Sequence, residues 1–230
     1  MVIAFIFARG GSKGLPGKNK MLFAGKPLLA WSIQQARDVG RIDRVIVSTD
    51  SIEIADIARE YGAEVPFIRP KEFAYDDTPE WMAWRHALKY LVDSEGSMPD
   101  LMVSVPATAP LRSSIDIDNC INEYEKGHVD VVVTVTDANR SPYFNMVKKQ
   151  MDGTVSLVIP SHEIISRRQD VPVVYDMATV AYVLNPEFVM SAESIFEGKV
   201  GAVKVPRERA IDIDTMMDFQ IAESLYRLYQ

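Results

Sequence analysis

From Val2 to Ala8 the chain is apolar without a break, and it then turns abruptly into Arg9-Gly-Gly-Ser-Lys-Gly-Leu-Pro-Gly-Lys-Asn19. A continuous apolar run of this length reads as a strand buried in the interior of a sheet. The glycines after it let backbone amides crowd round an anion without interference from Cβ atoms. Successive N–H groups in such a loop form a concave anion site, and Arg9, Lys13, Lys18 and Lys20 add to its field. In open α/β sheets, ligands bind where strands deliver loops at their carboxyl ends. A polyphosphate site in an α/β fold is the simplest reading.

Two other phosphate loops are excluded by spacing. A P-loop requires G-x-x-x-x-G-K-[ST]; the frame ending on Gly17-Lys18 starts at Ser12 and finishes at Asn19, so its first glycine and its metal-binding hydroxyl are missing. A dinucleotide fingerprint requires G-x-G-x-x-G opening a helix. Gly10-Gly11 has the wrong spacing, and Pro16 interrupts the helix.

The rest of the chain alternates strand and helix signals. Strands are expected at Arg44–Ser48, Glu64–Ile68, Leu101–Val105 and Val129–Val135, and helices at Leu28–Val39, Ile52–Tyr61, Pro79–Ser94 and Ser114–Lys126. Such alternation predicts a mostly parallel, Rossmann-like sheet with helices on both faces. It breaks over 139–175, where Phe144–Ile159, interrupted at Asp152-Gly153, reads as a β-hairpin. The pattern resumes at Ala178–Leu184, Gly201–Val205 and a last helix, Thr215–Leu228. A single domain over 1–230 is expected, with 139–175 as an insertion inside it.

Composition narrows the function. At 230 residues a chain buries roughly 70% of its unfolded surface and needs no disulfide or metal to hold a core. The single Cys120 lies in an expected helix and reads as a buried structural thiol, which suits a reducing, cytoplasmic setting. The first residues lack the basic stretch and cleavage site of a signal peptide, and no apolar run reaches membrane-spanning length. A net charge of −7 argues against general nucleic-acid binding. An anion must then be bound locally, by a basic loop and a metal ion.

A candidate for that metal lies in Ile211-Asp212-Ile213-Asp214-Thr215. In extended backbone, residues two apart share a face, so both carboxylates point one way and both isoleucines point into the core. Paired carboxylates suit Mg²⁺, which takes one or two of them with phosphate oxygens and water. Residues that merely cap or turn fit the same spacing. Thr215 is placed to cap the last helix, with Asp218 in its first turn. Asp50 reads as the cap of the helix near Ile52. The well-separated His86, His128 and His162 show no metal spacing, and Trp81 and Trp84, three apart on one helix, read as packing residues.

These segments together resemble the CMP-N-acylneuraminate synthetases, the cytidylyltransferases that activate acidic sugars. Ala8, Arg9, Ser12, Lys13, Gly14, Lys18 and Asn19 match the opening motif A-R-x-x-S-K-G-x-x-x-K-N. Val47–Asp50, Arg69-Pro70, Asp77-Thr78, Thr108–Arg112 and Ile211–Thr215 follow in the family's order. The resemblance implies a nucleotide-diphospho-sugar transferase fold. It implies transfer of CMP from CTP to a free 2-keto-3-deoxy sugar acid such as a sialic or legionaminic acid, with Mg²⁺ and release of pyrophosphate. It places Ala8, Arg9, Gly10, Ser12, Lys13, Lys18, Asn19, Arg69 and Thr78 on the nucleotide side, Arg9 and Lys18 among the catalytic residues, and Asp212 and Asp214 on the metal. Thr108 and Arg168 fall on the acceptor side, with Arg167 the competitor of Arg168; an arginine fork matches a carboxylate. Thr78 serves equally well as a helix cap.

The resemblance also implies a homodimer in which 139–175 reaches the neighbouring subunit. The hairpin's apolar residues, Phe144, Met146, Val147, Val155, Leu157 and Ile159, must pack on something, because a lone hairpin is marginal. Departures from the family gather on the sugar side: Pro106 stands for a glutamine, Phe144 for a lysine, and Tyr175–Thr179 for a basic Asn-Gly segment. The alternatives are a nucleotidyltransferase of similar fold acting on a sugar phosphate, and an inactive nucleotide-binding protein.

Overall fold

A computed structural model describes residues 1–160 and 167–229. The strands are β1 (Val2–Phe7), β2 (Leu22–Phe23), β3 (Lys26–Pro27), β4 (Arg44–Ser48), β5 (Leu101–Ser104), β6 (Val131–Asp137), β7 (Val147–Lys149), β8 (Val155–Leu157), β9 (Tyr175–Leu184) and β10 (Val200–Lys204). The α-helices are α1 (Leu28–Arg37), α2 (Ile52–Glu60), α3 (Glu80–Glu95), α4 (Ser114–Tyr124), α5 (Pro186–Ser191) and α6 (Met216–Leu228).

Six strands form the central sheet in the order β10-β6-β9-β5-β1-β4. The pairs β1/β4, β1/β5 and β10/β6 are parallel, and β9 runs antiparallel between β5 and β6. This is the mostly parallel α/β architecture expected, with one strand reversed. The expected strand at Glu64–Ile68 is reduced to a single bridge between Ile46 and Glu64. Pro66 explains it, since proline has no N–H to extend the ladder.

Side chains alternate across β1 as sheet geometry requires. Ala4 and Ile6 join Leu29 and Ile33 of α1, Ile54 of α2 and Ile117 and Ile121 of α4 on one face. Ile3 and Phe5 join Trp81, Trp84 and Leu88 of α3 and Val189 of α5 on the other. Each large side chain so buried contributes roughly 1.5–3 kcal/mol. Cys120 is fully buried in the first of these clusters. A third cluster, with Leu15, Phe23, Leu28, Ile213 and Phe219, packs the opening loop and α1 against α6. It brings the chain's first loop and last helix together.

Within 139–175, β7 and β8 pair antiparallel as the expected hairpin. Its Met146, Val147, Val155 and Ile159 remain exposed. His162 lies outside the described residues. Arg168 begins a 3-10 turn, Arg168–Asp170, but its side chain lies outside what is described. Among the described residues, no helix is long and apolar enough to cross a membrane.

Candidate active site

The carboxyl ends of β1 and β5 open into a cleft of about 560 Å³, lined by Arg9, Ser12, Lys13, Lys18, Arg69, Thr78, Thr108 and Asp214 among others. Most of the residues singled out in the sequence therefore meet at one place. Ala8 is instead packed in the core. The Gly10 amide donates to Asp50 Oδ1 at 2.8 Å. Asp50 thus tethers the loop, while Ser51 caps α2 in its stead by accepting from the Ile54 amide.

The loop owes its course to glycine at two points. Gly17 adopts φ 70° at the start of the 3-10 turn Lys18–Lys20, a conformation that favours glycine. At Gly14 an added Cβ would lie 2.5 Å from the Asp214 carbonyl oxygen, so only glycine lets the first loop touch the last. Lys18 fixes the same junction. Its Nζ donates to Asp214 Oδ1 at 2.8 Å and to the Ile213 carbonyl at 2.9 Å. Asn19, almost fully buried, donates to the Arg9 carbonyl at 3.1 Å and holds the loop from within. Lys20 points away to Glu53.

Asp76 was not legible in the sequence. Its carboxylate pairs with Arg9 and, at 2.7 Å, with Lys13. Lys13 and then Arg9 hold it below the usual carboxylate range. A carboxylate of the protein thus stands on two of the cations that the sequence assigns to a polyphosphate. Arg69 is 4% exposed. Burial pushes its guanidinium down, Asp50 and Glu80 oppose that, and Arg9 adds to it. Glu80, on the cleft wall, was also missed. Desolvation among the protein atoms around its carboxyl raises it, Trp84 and Arg69 oppose the rise, and Asp212 reinforces it. Tyr182, on the same wall, is pushed up to about 12 by burial and then by Glu80 and Asp212.

Residues 211–214 deliver the two aspartates. Ile213 is fully buried and its amide donates to the Thr108 carbonyl at 2.8 Å. Ile211 packs partly against the same cluster. Asp214 lines the cleft and is exposed. Asp212 lines an adjoining cavity, and its Oδ1 is buried without a partner in the protein. Thr215 and Asp218 form a capping box at the start of α6, which anchors the segment. Thr78 does not cap α3; its hydroxyl donates to the Glu72 carbonyl at 2.9 Å, while Pro79 occupies the cap position. Arg112 is buried and donates to the Ala109 carbonyl from Nε at 3.1 Å and to the Pro106 carbonyl from Nη2, so it braces the loop that carries Thr108.

The chain is similar to known proteins over nearly its whole length. The family described as Cytidylyltransferase matches residues 3–229. The post-translational flagellin modification protein B of Campylobacter coli is 34% identical over 226 residues, covering 98% of this chain and 95% of that protein. The CMP-N,N'-diacetyllegionaminic acid synthase of Campylobacter jejuni is 34% identical over 228 residues, covering 99% and 95%. Among solved structures, a CMP:2-keto-3-deoxy-manno-octonic acid synthetase complexed with CTP superposes with a TM-score of 0.72 at 15% identity, over 100% of this chain and 99% of that one. At that identity the likeness speaks for the fold.

Proposed function

The chain belongs to the cytidylyltransferase family, and from that premise we propose that it transfers CMP from CTP to the anomeric hydroxyl of a free 2-keto-3-deoxy sugar acid of the nonulosonic class. The observation that carries the reading is the gathering of the cations Arg9, Lys13 and Lys18 with Asp214 in one cleft at the carboxyl end of β1, where Lys18 pairs with Asp214 and Arg9 and Lys13 pair with Asp76.

The acceptor hydroxyl attacks the α-phosphorus as the bond to pyrophosphate breaks. No protein nucleophile is needed, so the protein positions and neutralises. Arg9, Lys13 and Lys18 bind the triphosphate and stabilise the departing pyrophosphate. Ser12, Asn19, Arg69 and Thr78 hold the loop and the nucleotide. Thr108 and Arg168 serve the acceptor, Arg168 through its carboxylate.

Asp212 and Asp214 would hold Mg²⁺. Their oxygens suit a hard cation, and the unpartnered, buried Asp212 Oδ1 supports the assignment. Bound there, the ion would polarise the α-phosphoryl group and lower the pKa of a hydroxyl near it. The working form is proposed to be a cytoplasmic homodimer joined through 139–175; the exposed apolar residues of the hairpin support this, since patches of that kind mark contact surfaces.

Pyrophosphate release from CTP is the test, across free sialic, legionaminic, pseudaminic and octulosonic acids and a phosphorylated sugar alcohol. Release with one of the free acids is expected. Release with the phosphorylated acceptor alone would refute the assignment of a free acid, and no release with any acceptor would refute catalysis.

A further inference from the structure

Asp76 sits on the loop cations in the manner of a ligand. Each of its oxygens meets a different partner: Oδ1 meets the Arg9 guanidinium, and Oδ2 meets Lys13 Nζ at 2.7 Å. One anion whose oxygens are shared between two cations makes the contact that a phosphate group would make in the same place. Of the other two loop cations, Lys18 is engaged with Asp214 and Lys20 with Glu53.

The segment that delivers Asp76 is braced without help from those cations. After the 3-10 turn Lys71–Phe73, the Ala74 amide donates to the Lys71 carbonyl at 2.9 Å and the Thr78 amide to the Tyr75 carbonyl at 3.2 Å. The Thr78 hydroxyl ties the far end back to the Glu72 carbonyl at 2.9 Å. Asp76 therefore lies inside a short turn whose ends are fixed to each other. A charged group on so short a tether competes as an intramolecular ligand, at an effective concentration on the order of millimolar. Tyr75 and Asp76 both line the cleft and both are exposed. An entering anion can reach Asp76, and water can receive its carboxylate once it is displaced.

We propose that Asp76 is an internal competitor for the pyrophosphate part of the nucleotide: it yields Arg9 and Lys13 to the incoming triphosphate and takes them back as pyrophosphate leaves. The inference rests on the cytidyl-transfer reading above, in which Arg9 and Lys13 serve the triphosphate. Its consequence is selective. CTP and free pyrophosphate must both displace Asp76, and both bind less tightly for it. CMP has no phosphate beyond the α position and displaces nothing. Asp76 thus eases product release at the expense of affinity for CTP.

Calorimetric titration with CTP, inorganic pyrophosphate and CMP, all at one fixed Mg²⁺ concentration, tests the proposal on the unaltered protein and on Asp76→Asn, Asp76→Ala and Asp76→Glu. Asp76→Asn is expected to tighten CTP and pyrophosphate by a common factor of roughly fivefold, the scale of two exposed ion pairs. CMP should stay within about twofold, since no pair is broken to admit it. In steady-state kinetics the inhibition constant of pyrophosphate should fall by the same factor as its dissociation constant. Asp76→Ala should follow Asp76→Asn. Asp76→Glu keeps the charge and should stay close to the unaltered protein with all three ligands.

Pyrophosphate binding that is unchanged or weaker in Asp76→Asn and Asp76→Ala overturns the competitor, because a carboxylate that only steadied Arg9 and Lys13 would be missed by the ligand. A CMP constant that tightens as much as that of CTP also overturns it, as a general effect of removing negative charge from the cleft. If melting curves show that Asp76→Asn does not fold, Asp76→Ala decides the matter. Binding of inorganic pyrophosphate requires no transfer, so the two readings fail separately. An unaltered protein that binds pyrophosphate but releases none from CTP overturns cytidyl transfer, and the pyrophosphate titrations still decide the competitor.

Discussion

Gly14→Ala tests whether the first loop and the last segment must touch. The added Cβ would lie 2.5 Å from the Asp214 carbonyl oxygen, and the obstacle is backbone, which cannot swing aside. Ordinary contact begins near 3.4 Å, so loop and segment must part by about 0.9 Å. That motion separates Lys18 and the cleft cations from Asp214. A misplacement of about 1 Å typically costs on the order of 10²-fold in rate, which corresponds to about 2.7 kcal/mol in transition-state stabilisation. Gly11→Ala is the matched control. It lies in the same loop, with nothing within 4 Å of its added Cβ. The assay is pyrophosphate release from CTP, with thermal melting to establish that both variants are folded. The expected result is a kcat/KM lowered about 10²-fold for Gly14→Ala and within threefold of normal for Gly11→Ala. Equal activity in the two variants would refute the argument that close approach of these backbones builds the site.

Asp212→Asn and Asp214→Asn should each lower activity and raise the Mg²⁺ concentration needed for half-maximal rate; a Mg²⁺ titration unchanged in both would place the metal elsewhere. Asp76→Asn should tighten CTP binding in a calorimetric titration, because it frees Arg9 and Lys13, and weaker binding would mean that Asp76 assists the ligand instead. Cys120, whose thiol is pushed up to about 12 first by burial and then by Asp116 and Glu123, should resist alkylation of the folded protein at pH 8. In the unfolded chain the same thiol ionises near pH 8.5, so its contribution to stability is complete below that pH and is lost as pH climbs toward 12; rapid labelling of the native protein would refute this. Thr215→Ala removes the hydroxyl half of the capping box on α6 and should cost about 1 kcal/mol, a fall in Tm of roughly 2–4 °C for a chain of this size.

The strands of the central sheet and the opening loop were legible because they are encoded locally, whereas Glu64–Ile68 does not form the strand expected of it. Arg44–Ser48 is a strand from its first residue to its last, and the loop after β1 declares itself through glycine and charge. The reversal of β9 was not legible, since an apolar run records burial and carries no sign of direction. α5 escaped because six residues are too few for a helical period, although its Asn185 cap followed by Pro186 was a usable signal. Asp76 and Glu80 could not be found by spacing. Their importance comes from partners distant in sequence: Arg9 and Lys13 for the one, and Arg69 and Asp212 for the other.

On the proposed reading, those same pairings explain how an acidic protein would present an anion site. The loop cations do not wait bare: Lys18 is paired with Asp214, and Arg9 and Lys13 with Asp76. Arg69 lies near Asp50 and Glu80. Binding a triphosphate on the proposed reading is therefore an exchange of anions, not an addition to free charge. Each phosphate oxygen that takes a cation leaves a carboxylate of the protein uncompensated, which is costly wherever solvent is scarce. Asp76 is exposed and its loss of partners is met by water. Asp212, whose Oδ1 has no hydrogen-bond partner in the protein, lies two residues from Asp214, so releasing Asp214 from Lys18 leaves two carboxylates close in the chain with one cation fewer. The exchange balances best when the nucleotide arrives with a divalent cation, because one event then replaces both halves of the Lys18–Asp214 pair. CTP affinity should accordingly rise with Mg²⁺ in the unaltered protein, and that dependence should shrink in Asp214→Asn, where only the neutral half remains to be satisfied. A Mg²⁺ dependence of binding that is identical in the two proteins would refute the exchange.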